Sequence, residues 1–264
     1  KLELMVAVRP TFHQPAILAK QAANIDRIAG GRLALNVVSS WWADEARRYG
    51  VHFEEHDDRY ARTDEWLAVV RGAWCERRYT HHGKYYAVDE TILEPKPVHP
   101  PTIYAGGESE AAKSLIARAC DAYVMHGDPP ERVAPKVADM RARRVAAGGP
   151  PMQYGMAAYV IVRDTDAQAR HEVARITNVS PGSPGHATYQ DWLAHTKLEQ
   201  SVSPEDYSVS NRGLRAGLVG TPDAVAEKIR AFAAAGVDLL LLQCSPQLEE
   251  MERFAEQVMP LVPS

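Results

Sequence analysis

The chain has 264 residues, with 30 Lys and Arg against 34 Asp and Glu for a formal net charge of -4, and that balance provides no field to hold nucleic acid or an anionic membrane surface. Hydrophobic residues make up 45% and charged residues 24%, an ordinary globular composition with no run near the ~18 apolar residues of a membrane helix. The length suits one large core, since α/β barrels run to about 200–250 residues as a single domain. Three cysteines (Cys75, Cys120, Cys244), widely spaced and without a CxxC pair, suit a reducing cytoplasm rather than a disulfide scaffold or a zinc ribbon.

In chain order, Leu2 to Val8 is a short apolar run closed by Arg9-Pro10, and Pro15 to Ala29 repeats apolar residues at helical spacing up to Gly30-Gly31. The unit recurs. Strands are predicted over residues 33–39, 102–106, 122–126, 154–162 and 239–243, with helices over 59–74, 109–120, 130–147, 166–176 and 224–235. Six nearly all-apolar strands separated by helices predict a parallel sheet buried on both faces. Residues 76–101, with Tyr79, Gly83, Tyr85, Tyr86 and four prolines, break the rhythm and read as a hairpin or extended excursion. Residues 177–217, rich in Ser, Pro and Gly, read as a mobile lid. No repeat or linker divides the chain, so residues 1–264 are expected to form one domain. No strand is followed by GxGxxG, which disfavours a dinucleotide-binding open sheet. A (β/α)8 TIM barrel remains, and six strands beginning almost at Lys1 predict that its first two βα units lie before this chain.

In such a barrel the chemistry sits just past the strands. Those positions hold Arg9, Thr11, Phe12 and His13; then Ser39 to Trp42 and Glu45; then Gly106 to Ser109; then His126, Gly127 and Asp128; and finally Gln243, Cys244 and Ser245. Asn36, inside an apolar strand, needs a partner, either a cofactor's polar ring edge or a neighbouring backbone. The Gly106-Gly107-Glu108-Ser109 passage from strand to helix is built as a phosphate site or as a plain serine cap after a tight turn. Arg59 and Tyr60, at the start of a predicted helix, offer the same phosphate a charge and an aromatic surface, or are a solvated pair. Trp41-Trp42 walls a flat ring or packs under a loop. His52 and His56 match the inverted zinc-peptidase pattern H-x-x-E-H, whose chemistry requires both on one helical face, and a zinc hydrolase is the distant alternative.

Six segments together resemble the bacterial luciferase-like flavin monooxygenases, the group that includes alkanesulfonate and pyrimidine oxygenases. They are residues 8–45 (VRPTFHQPAILAKQAANIDRIAGGRLALNVVSSWWADE), 57–66 (DDRYARTDEW), 102–113 (TIYAGGESEAAK), 123–133 (YVMHGDPPERV), 158–164 (AYVIVRD) and 217–254. Within that group, SSWWADEARRYG and SVSNRGLRAGLVG look most like the branch that oxidises dimethyl sulfone. The resemblance implies a luciferase-like barrel and reduced FMN supplied by a separate NAD(P)H-dependent reductase. It also implies use of O2 to cleave a C–S bond of a small organosulfur compound, first dimethyl sulfone to methanesulfinate and formaldehyde, in a homodimer or homotetramer. Sulfonate, pyrimidine and deazaflavin chemistries of the same fold are the near alternatives. Carried over by residue, the family's flavin contacts fall on Asn36, Glu45, Arg59, Tyr60, Gly106, Gly107 and Ser109. The mobile-segment arginine falls on Arg212, with Arg215 as fallback, and Tyr159 and His126 complete the catalytic candidates. Where sulfonate enzymes have Arg and His on one strand, this chain has Ala157 and Tyr159, and their late active-site Tyr corresponds to Ser245. Losing that cation suits a neutral substrate, because an unpaired buried Arg is costly.

Overall fold

A computed structural model describes residues 2–39, 42–178, 180–182, 186–187, 189–190, 193 and 213–262. Contacts gather the chain into two units, 1–123 with 143–152, and 124–142 with 153–264.

In the first unit three strands run parallel: β1 (Leu4–Val8), β2 (Leu33–Val37) and β5 (Thr102–Gly106). The register sets Ala7 beside Asn36 and Asn36 beside Tyr104. The apolar run of β2 is buried as expected at Leu33, Ala34, Leu35 and Val37, whereas Leu4 and Val6 of β1 stay exposed. Helix α1 (Pro15–Ala29) starts on the Gln14 side chain, which accepts the Ile17 N–H, and stops at Gly30, whose φ of 68° leaves the helical region. It buries Leu18, Ala19, Ala22 and Ala23, and the Trp74 indole donates to the Ala19 carbonyl at 2.9 Å. Buried Asp26 ties the end of α1 to its surroundings by accepting the N–H groups of Leu33 (3.2 Å) and Val98 (2.8 Å).

A six-residue helix, α2 (Ala43–Arg48), precedes α3 (His56–Cys75). Helix α3 begins three residues before the predicted Arg59, so Arg59 and Tyr60 lie in its first turns and do not open it. The 76–101 excursion contains the expected hairpin, β3 (Tyr79–His82) antiparallel to β4 (Ala87–Thr91). Its turn is tied to α3 by the Glu65 carboxylate, which accepts the N–H groups of Lys84 (2.8 Å), Tyr85 (2.8 Å) and Tyr86 (3.1 Å). Helix α4 (Glu110–Ala119) follows β5 and buries Ala112, Leu115, Ile116 and Ala117.

Strand β6 (Ala122–Met125) and helix α5 (Pro130–Ala146) carry the chain between the units. In the second unit the ten-residue β7 (Gln153–Val162) has two parallel partners among its neighbours. Gly155 to Tyr159 run beside β9 (Leu239–Gln243), and Val160 to Val162 beside β8 (Leu218–Gly220). Strand β8 corrects the count of six: outside the hairpin, seven strands stand among the described residues. Three residues between Gly217 and Thr221 are too few for a periodicity to show. Helices α6 (Asp166–Thr177), α7 (Pro222–Ala234) and α8 (Gln247–Gln257) complete the unit. Thr165 and Gln168 form a capping box on α6, and Thr221 caps α7 by accepting the Ala224 N–H. Among the described residues no helix is long and apolar enough to cross a membrane.

Candidate functional site

All seven cofactor candidates belong to the first unit. Asn36 and Gly106 lie within β2 and β5 towards their C-terminal ends, and the others follow those ends or lie on the helices after them, where α/β folds place their sites. Helix α3 is fastened to the loops that leave β1 and β2. The Trp66 indole donates to the His13 carbonyl at 2.8 Å, and the Thr63 hydroxyl donates to Ser39 Oγ at 3.0 Å. That anchoring fixes Arg59 and Tyr60, one turn earlier on the same helix. Phe53 covers the Arg59 guanidinium at 4.4 Å, and Arg59 Nη1 donates to the Glu54 carbonyl at 2.7 Å. Its Nε is buried and has no acceptor among the described residues.

Between β5 and α4 the chain makes a close turn. A Cβ on Gly107 would stand 2.5 Å from the Ala112 Cβ and 3.2 Å from the Tyr60 hydroxyl oxygen, so only glycine allows this approach, and Tyr60 borders the turn. The Tyr123 hydroxyl donates to the Gly107 carbonyl at 3.2 Å, and Ser109 Oγ caps α4 by accepting the Ala112 N–H at 3.2 Å. Ser109 is therefore a helix cap in its side chain. The first-turn N–H groups of α4 have no intrahelical acceptors and carry the positive end of the helix dipole. Exposed Gly106 and half-buried Gly107 leave that end open. A glycine turn, a tyrosine hydroxyl, the Glu110 and Ala111 N–H groups that the Ser109 cap does not take, and a buried guanidinium donor without an acceptor form a donor set that fits the phosphate of FMN. Asn36 is half-buried on β2, and its amide has no hydrogen-bond partner among the described residues. Its register neighbour Ala7 lines a cavity.

That cavity, of about 310 Å³, is lined by Ala7, Arg9, Phe12, His13, Glu45 and Tyr49. Glu45, in the first turn of α2, forms an ion pair with Nη1 of Arg9. Arg9 also lies over the Phe12 ring at 5.5 Å, and Phe12 meets Tyr49 edge-on at 5.7 Å. In the sequence Arg9 shows only as a polar residue after a strand. Its partner stands 36 residues later, and no local pattern links the two.

Of the three catalytic candidates, His126 and Tyr159 belong to the second unit. His126 is exposed just past β6. Tyr159 is 5% exposed, and its ring sits in an apolar cluster with Ile161, Ala169 and Leu214, flanked by Val173 and Ile176 of α6. Arg212 lies outside the described residues, as does most of the 177–217 segment, and Arg215 and Ser245 are exposed. Gly213, beside Arg212, is pressed onto β7: the Tyr159 N–H donates to its carbonyl at 3.2 Å, and a Cβ there would lie 2.8 Å from the Ala158 Cα. Gly127 packs as tightly, a Cβ on it falling 2.6 Å from the Ala157 carbonyl oxygen.

His52 precedes α3 and His56 is its first residue, so the pair does not share a helical face as the zinc pattern requires. His56 Nδ1 instead meets the Asp57 carboxylate at 2.7 Å. Burial pushes the Cys120 thiol up to about 12 and also raises that of Cys244, so neither is a ready thiolate.

A family model described as Luciferase-like monooxygenase matches residues 1–239. The chain belongs to this luciferase-like family. Two curated relatives named FMNH(2)-dependent dimethylsulfone monooxygenase match nearly its whole length. The one from Pseudomonas fluorescens (strain Pf0-1) is 37% identical over 99% of this chain and 74% of its own. The one from Pseudomonas putida is 36% identical with the same coverage. Among solved structures, DmoA from Hyphomicrobium sulfonivorans aligns with a TM-score of 0.80 at 23% identity, over 98% of this chain and 67% of that one. The structural likeness shows the luciferase-like α/β fold of the TIM-barrel type.

Proposed function

We propose that the protein is an FMNH2-dependent monooxygenase that cleaves dimethyl sulfone. The observation that carries the reading is the identity of 36–37% across 99% of the chain with two dimethylsulfone monooxygenases. The donor set around Gly107 supports it independently, because it fits a flavin phosphate. In balance, dimethyl sulfone, O2 and FMNH2 give methanesulfinic acid, formaldehyde, water and FMN. Bound FMN, in its reduced form, supplies the electrons for O2 activation.

The chain's own residues then bind and orient. The Gly106 to Ser109 turn, Tyr60 and Arg59 hold the phosphate, and Asn36 meets the polar edge of the isoalloxazine. Glu45 shapes the adjoining cavity by holding Arg9. Arg212 brings a guanidinium to a sulfonyl oxygen, and exposed His126 is the candidate to move a proton at the strand end. Tyr159, enclosed beside α6, is the remaining catalytic candidate on β7. A small Ala157 leaves β7 without the cation that a sulfonate would demand. A separate NAD(P)H-dependent reductase supplies the flavin, and the protein works in the cytoplasm as a homodimer or homotetramer.

The test is direct. The protein is mixed with FMN, a flavin reductase, NADH, air and dimethyl sulfone, and formaldehyde is assayed against a reductase blank. Formaldehyde above the blank is expected, and none above it refutes the substrate assignment.

A further inference from the structure

Arg9 follows the last residue of β1, and the loop that carries it is tied down at several points. The Phe12 N–H donates to the Arg9 carbonyl at 3.0 Å. The Tyr86 hydroxyl of the hairpin donates to the Pro10 carbonyl at 3.3 Å and in turn accepts from Arg62 Nε at 2.9 Å. Trp66 holds the His13 carbonyl. Arg9 is thus presented to the 310 Å³ cavity by a fixed loop. Among the described residues only its Nη1 has an acceptor, the Glu45 carboxylate. Its side chain is 35% exposed and that of Glu45 20%, so the pair meets the cavity without being flooded by solvent.

The pair has two chemical consequences. Its charges cancel, so the pair offers no net positive charge to an anion, and an incoming sulfonate would meet the Glu45 carboxylate as a like charge. The remaining N–H groups of the planar guanidinium still donate in a fork, a geometry suited to two oxygens on one centre. We propose that Arg9 is the substrate-binding residue that receives the two sulfonyl oxygens of a small neutral sulfone, and that Glu45 sets specificity by cancelling its charge. This rests on the reading of the protein as a sulfone monooxygenase, and it adds a further group that recognises the sulfonyl unit.

Binding is measured on the full chain, with and without FMN, by ligand-observed proton NMR of the methyl groups of dimethyl sulfone and methanesulfonate. The wild-type protein binds the sulfone and not the sulfonate. Arg9→Gln weakens sulfone binding at least about tenfold, the scale of one lost charge-assisted hydrogen bond. Arg9→Lys keeps the charge but not the fork and falls between the two. Glu45→Gln leaves Arg9 uncancelled, and methanesulfonate binding appears. Circular dichroism checks the fold, and if Arg9→Gln does not fold, Arg9→Lys and Glu45→Gln decide. The proposal is overturned if the wild type binds no sulfone, if the Arg9 variants bind it as the wild type does, or if Glu45→Gln still rejects the sulfonate. The two readings fail separately. Sulfone binding that follows the expected pattern without formaldehyde production refutes the enzyme activity and leaves Arg9 in place. Formaldehyde production with unchanged binding in the Arg9 variants refutes Arg9 alone.

Discussion

Replacing Gly107 by Ala places a methyl group 2.5 Å from the Cβ of Ala112 and 3.2 Å from the Tyr60 hydroxyl oxygen. Non-bonded carbons rest at about 3.5–4.0 Å, so the first turn of α4 and the β5 turn must part by about 1 Å. Overpacking of this kind costs about 1–3 kcal/mol, which in a protein of this size lowers Tm by about 2–10 °C. The effect on ligand binding is larger. Donors moved by about 1 Å leave the 2.7–3.2 Å range of a hydrogen bond, and losing one charge-assisted bond costs about 1.5–3 kcal/mol, or 10- to 100-fold in Kd. Titration of FMN by fluorescence quenching measures the loss, and riboflavin, which lacks the phosphate, is the control. G107A is expected to weaken FMN binding while leaving riboflavin binding little changed. The double variant G107A/A112G, which removes the opposing Cβ, is expected to recover FMN affinity. Equal loss of both ligands, or no loss of FMN, would refute a phosphate cradle at this turn.

Three further outcomes follow from the same geometry. Burial works to raise the Glu65 pKa, but the N–H groups of Tyr85, Lys84 and Tyr86 hold it below the usual carboxylate range. A depressed folded pKa stabilises the native state above the unfolded value, and that contribution is lost as pH falls through the folded one. Glu65→Gln should therefore cost about 2 kcal/mol at neutral pH, with the gap to wild type closing in acid; urea unfolding that shows a pH-independent gap would contradict this. If Asn36 meets the ring edge, as proposed, Asn36→Ala weakens FMN and riboflavin alike, and selective loss of FMN would move Asn36 to the phosphate. Dialysis against EDTA is expected to leave turnover unchanged because His52 lies outside α3. Activity lost and then restored by zinc would revive the hydrolase alternative.

Much of the fold was legible because its signals are local. The apolar runs at 102–106 and 239–243 and the helix at 15–29 stand where periodicity puts them, since the apolar side chains of the strands, buried in the first and half-buried in the second, leave polar residues few places. Strand β8 escaped because three residues carry no period. The α3 start escaped because His56, Asp57 and Asp58 are polar first-turn residues with no cap side chain before them.

The site divides in the same way. By itself, the sequence determined the parallel α/β class, the family and the strand-end candidates, because each is written in contiguous residues. Only the tertiary structure decided that Ser109 is engaged as a cap, that Tyr60 borders Gly107, that Tyr159 packs beside α6, and that Arg9 meets Glu45. The Tyr60–Gly107 and Arg9–Glu45 encounters join segments far apart in the chain, and a charge pair or a close approach exists only once folding has brought both partners to one place.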